Sequence, residues 1–76
     1  MAIVRNLEEI NLERNIEHTE VECTYTIVRE RHETFLQIDT YGSKSRKNEG
    51  KKSQSIRFSQ EAIAQLKEII NTRLNF

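Results

Sequence analysis

The sequence predicts an α+β domain with the element order β-β-β-β-α. Short runs in the middle of the chain alternate apolar and polar residues with the period of a strand, and the C-terminal stretch repeats aliphatics with the period of a helix. A chain of 76 residues holds one core, so residues 1–76 are expected to form a single domain.

The first segment is the least decided. Leu7 and Ile10 suit a helical turn, whereas Ile10, Leu12 and Ile16 suit an alternating strand, and the alternation predicts a strand within roughly residues 9–17. Val21, Cys23, Tyr25 and Ile27 then alternate with Glu20, Glu22, Thr24 and Thr26, which is the clearest strand signal in the chain. After the polar break at residues 29–33, residues 34–41 alternate again, with Leu36 and Ile38 on one side and Phe35, Gln37, Asp39 and Tyr41 on the other. The two runs predict an antiparallel hairpin.

Residues 42–52 contain both glycines of the chain and no apolar residue, and they read as a loop. A third alternating run, with Gln54, Ile56 and Phe58 against Ser53, Ser55 and Arg57, predicts another strand. Ser59 follows as a good helix N-cap with Glu61 in the first turn, and Ile63, Leu66, Ile70 and Leu74 then recur at helical spacing to the C-terminus. That stripe is wide enough to cover one face of a sheet.

Composition narrows the function. Hydrophobic residues make up 36% of the chain and charged residues 32%, so the core is thin. Chains this short usually need a staple, and a single Cys with two His supplies neither a disulfide nor a structural zinc site. Self-association remains. No apolar run is long enough to span a membrane, and the sequence MAIVRNLEEI carries acids where a secretion signal needs a basic end, so a cytoplasmic protein is expected.

Catalysis needs convergent groups, and few are available. Cys23 lies on the apolar side of its strand and reads as a buried structural thiol. His18 is an odd five residues away, on the opposite side of any shared strand, so the two do not make a metal site. His32 reads as a solvated turn residue. Neither phosphate-loop fingerprint is present. No enzyme activity, metal or cofactor is expected.

The charge is zero in total and uneven along the chain. Residues 1–41 hold four bases and nine acids, a net −5, whereas residues 42–76 hold eight bases and three acids, a net +5. Lys44, Arg46, Lys47, Lys51, Lys52 and Arg57 face only Glu49 within residues 42–58. Such cations supply the counterion-release term in binding a phosphate chain. Phe35 and Tyr41 share the otherwise polar side of the strand beside this run, and bases stack on rings while cations follow the phosphates. The alternative is that these rings pack under the N-terminal segment or in a dimer seam. The acids Glu8, Glu9, Glu13, Glu17, Glu20 and Glu22 suit solubility and edge protection, or a protein-interaction or inhibitory module that mimics a nucleic-acid backbone.

Taken together, residues 25–29, residues 36–41, the basic run into Gly50-Lys51-Lys52-Ser53-Gln54-Ser55-Ile56, Ser59-Gln60-Glu61 and Gln65-Leu66-Lys67-Glu68-Ile69-Ile70 carry a family resemblance. Over residues 21–71 the chain resembles the single-stranded-DNA-binding domain of the transcriptional positive cofactor four family and its bacterial relatives. Residues 35–43 with 53–58 are also similar to a set of short bacterial proteins of unassigned role. The first resemblance implies a curved four-stranded antiparallel sheet crossed by one helix, a homodimer formed through that C-terminal helix, and single-stranded DNA or RNA lying over the sheet. By position, Lys51, Lys52 and Arg29 match basic residues of the family. The family's stacking aromatics do not match, because this chain has Arg31-His32 and Gly42-Ser43 in their places. The expected nucleic-acid site is therefore Arg29, Phe35, Tyr41, Lys44, Arg46, Lys47, Lys51, Lys52 and Arg57.

Overall fold

A computed structural model describes residues 1–42 and 52–76. It contains four strands and one helix: β1 (Ala2–Val4), β2 (Cys23–Arg29), β3 (Thr34–Thr40), β4 (Gln54–Phe58) and α1 (Gln60–Arg73). The α+β class, the central hairpin, the third predicted strand and the helix are as the sequence implied.

The first strand is not. Residues 9–17 form no strand, and the N-terminal strand is instead Ala2–Val4, which pairs parallel to β4 with Ala2 opposite Ile56 and Val4 opposite Phe58. The sheet is therefore mixed rather than antiparallel, in the order β1-β4-β3-β2. The Ala-Ile-Val run needs only three register positions to pair, and Ile3 and Val4 are strong strand formers. Ile10, Leu12 and Ile16 alternate among charges but stay exposed, at 79%, 72% and 63%, so no burial rewards their pairing.

Because β1 and β2 occupy opposite edges of the sheet, the segment between them must cross the molecule. Its first part runs along the helix. The Leu7 amide donates to Gln65 Oε1 at 2.8 Å, Gln65 Nε2 donates to Asn6 Oδ1 at 3.0 Å, and Arg73 pairs with Glu9 at 3.0 Å. Residues 10–22 are exposed and carry no helix or strand.

The helix starts where the sequence places it. Ser59 holds extended backbone angles, and its hydroxyl accepts the Ala62 amide at 3.2 Å. Ser59 and Ala62 are both fully buried at this junction, and Glu61 and Arg73 lie at the ends favoured by the helix dipole. Loss of an N-cap hydroxyl costs about 1 kcal/mol. Ser59→Ala should lower the melting temperature by roughly 4–8 °C for a domain of this size, measured by circular dichroism, with Ser59→Gly losing less.

Register divides the sheet into two faces. One carries Val4, Cys23, Tyr25, Ile27, Leu36, Ile38, Ile56 and Phe58 and is apolar. The other carries Ile3, Thr24, Thr26, Val28, Phe35, Gln37, Asp39, Ser55 and Arg57. In β3 the second set is the more buried, whereas Leu36 and Ile38 are only half-buried. The expectation that the Phe35 side faces solvent is thus reversed. Cys23 also departs from expectation: it is an exposed free thiol, because β2 is an edge strand and its apolar side is open there.

Candidate nucleic-acid interface

The polar face is held by a chain of contacts that starts at a buried carboxylate. Asp39, 2% exposed, accepts from Gln37 Nε2 with both oxygens at 3.1 Å and from Lys52 Nζ at 3.3 Å. Gln37 passes the connection on, its Oε1 accepting Arg57 Nε at 2.7 Å, and Arg57 Nη1 meets Glu30 at 3.4 Å. A second pair joins Arg5 to Glu33 at 2.8 Å. Asp39 of β3 and Arg57 of β4 are the charged strand residues of this face, and Lys52, Glu30, Arg5 and Glu33, all outside the strands, pair with them or with each other.

Two of these carboxylates titrate below their ordinary values. Hydrogen bonding from Ser55 is the main cause at Asp39, with Gln37 and Lys52 adding to it against the opposing effect of burial. At Glu33 the cause is the hydrogen bond from Arg5. A depressed folded value means that each group's contribution to stability is present above the ordinary 3.8 and 4.5 and is lost as pH falls through the lowered values. Thermal melts between pH 6 and 2.5 should therefore show a drop that begins near pH 4.5 and deepens below 3.8, and Asp39→Asn should flatten the lower part.

The predicted site residues are distributed as follows. Arg29 ends β2 and is exposed. Lys52 and Arg57 belong to the polar face and are already ion-paired. Lys44, Arg46, Lys47 and Lys51 lie outside the described residues. Phe35 and Tyr41 are not open platforms: they are 2% and 6% exposed. Phe35 lies under two guanidinium groups, with Arg5 at 5.9 Å and Arg57 at 5.8 Å from the ring centroid. Tyr41 is drawn in by the Thr24 hydroxyl, 3.0 Å from its own, and by a backbone bond from its amide to the Glu22 carbonyl at 3.0 Å.

The ring of the sheet that does face solvent is Tyr25, 74% exposed. It was missed because period-two alternation assigns residues to a side without saying which side is covered. It stands on the same face of β2 as Arg29, and two residues, about 7 Å, from Cys23, where β2 opposes Thr40. Ser53 bonds back to Thr40 at this same end, so the basic run is attached to the sheet close to the exposed ring.

Among the described residues no group of three or more His, Cys, Asp or Glu could hold a metal ion, and no helix is long and apolar enough to cross a membrane. Fold and site define a small mixed-sheet domain with one capping helix, a charged sheet face and an exposed edge-strand tyrosine. No family model, curated protein or solved structure matches the chain.

Proposed function

We propose that the protein binds single-stranded nucleic acid without catalysing a reaction, as a cytoplasmic homodimer acting in transcription or another DNA transaction. The observation that supports this reading is the placement of Tyr25 beside the root of the basic run, with Arg29 further along the same face. One ring and flanking cations are the minimal parts of a sequence-tolerant single-strand site, since every base has a face to stack and every nucleotide a phosphate to neutralise. Tyr25 takes the stacking role expected of Phe35 and Tyr41, while Lys44, Arg46, Lys47, Lys51 and Lys52 supply the phosphate contacts. Dimerisation through α1 is supported by Ile69 and Ile70 on the helix and Leu74 at its C-cap, aliphatics that are 39%, 36% and 55% exposed.

Fluorescence anisotropy with a labelled single strand, repeated with duplex, tests the reading. Tyr25→Ala should weaken single-strand binding by about 1–3 kcal/mol, roughly 5- to 150-fold, with folding intact because the ring is exposed. No binding at low salt would remove the proposal.

A second reading has its own support. The exposed segment over residues 10–22 combines aliphatics with Glu13, Glu17, Glu20 and Glu22, a surface suited to a basic protein partner in an interaction or inhibitory module. Neutralising Glu8, Glu9, Glu13 and Glu17 would abolish activity under this reading and leave single-strand binding intact under the first.

A further inference from the structure

Phe35 is covered in a way that sets it apart from a core ring. It lies on the side of β3 that carries Gln37 and Asp39, next to Leu36 opposite Phe58, and is 2% exposed. Its outer side is closed by Arg5 from β1's end of the sheet and by Arg57 from β4, both within the range of a cation–π contact. Each guanidinium is held from outside by a carboxylate, Glu33 for Arg5 and Glu30 for Arg57, and those carboxylates are 40% and 56% exposed. The lid is thus made of long side chains fastened by solvent-facing ion pairs, which salt screens and dissolved anions can replace.

We propose that Arg5 and Arg57 form a latch over Phe35 that a phosphodiester chain opens. Phosphates displace Glu33 and Glu30 from the two guanidinium groups, draw those groups outward, and bare the ring face for a base to stack on. Phosphate suits guanidinium as well as carboxylate does, through paired N–H donors. Two cations converging on one ring are close enough for neighbouring phosphates of one strand to take both. For its guanidinium to move off the ring, Arg57 must give up its Nε bond to Gln37 as well as its pairing with Glu30. Glu30 and Glu33 then act as internal stand-ins for phosphate that keep an apolar ring dry until a strand arrives. This inference rests on the single-strand reading above and adds to it a second stacking ring on the face of the sheet opposite Tyr25.

The chain contains no Trp, so Phe35→Trp places a single indole at the ring position. Adding tripolyphosphate or an abasic oligonucleotide should shift its emission to longer wavelength as the cover leaves. Glu30→Gln combined with Glu33→Gln should lower the anion concentration required several-fold and tighten single-strand binding in anisotropy. Fluorine NMR of chain labelled with fluorophenylalanine, with the Phe35 resonance assigned by Phe35→Leu, reads the same opening without the larger ring. Single-strand binding with the Phe35 signal unmoved would overturn the latch and leave the binding reading standing. Opening by polyphosphate without single-strand binding would preserve the latch and overturn the binding reading. No response in either measurement would overturn both.

Discussion

Phe35→Ala is expected to bring the protein to the edge of unfolding at 25 °C. The ring is one of three buried hydrophobic residues, with Tyr41 and Ala62, among the described residues, and it is the largest fully buried side chain. Truncating a buried Phe to Ala costs about 3–5 kcal/mol, and a domain of this length has roughly 4–11 kcal/mol to lose. Urea denaturation followed by circular dichroism should show the midpoint collapse toward zero denaturant, with Phe35→Leu retaining part of the loss. A midpoint close to that of the parent would mean that the ring contributes little to the fold and that its cover is incidental.

Replacing Lys44, Arg46, Lys47, Lys51 and Lys52 together with Ser should remove most of the affinity for single strands. Each phosphate neutralised contributes about −0.7 to the slope of log K against log salt, so five contacts give roughly −3.5 and a loss on the order of 100-fold between 50 and 200 mM salt. The variant should bind weakly at every salt concentration and show a shallower slope, the part left by Arg29, Arg5 and Arg57. Lys52 also faces buried Asp39, so a companion variant that keeps Lys52 separates lost phosphate contacts from an uncovered carboxylate. If the five-fold replacement binds as tightly as the parent, the cations are solvation and the acidic segment becomes the surface to study.

The parts of the fold that depend on neighbours in sequence were legible in it. Alternation gave the hairpin, and Ser59 followed by Glu61 gave the start of the helix to the residue, because capping and strand period are local. The parts that depend on remote partners were not. The pairing of Ala2 with Ile56 leaves no trace in either segment alone, and without it nothing brings Arg5 to Phe35. The same gap reversed the reading of the sheet's two sides. Val21, Cys23, Tyr25 and Ile27 look like a core stripe, yet β2 is the outer strand and the helix packs on β3 and β4, so Tyr25 stays in water. Phe35 and Tyr41 look like surface rings among polar residues, yet those polar residues satisfy one another and close over them.

The parallel partnership of β1 also bears on the order in which the chain assembles. A ribosome delivers Ala2 long before Ile56, so the opening strand must wait, unsatisfied along both edges, until its companion emerges. The local hairpin of β2 and β3 can form meanwhile, and closing the widest gap comes later. Pulse-labelling by hydrogen exchange should accordingly find the Val4 amide, whose residue faces β4, among the latest to gain protection, and the first to lose it when the molecule breathes.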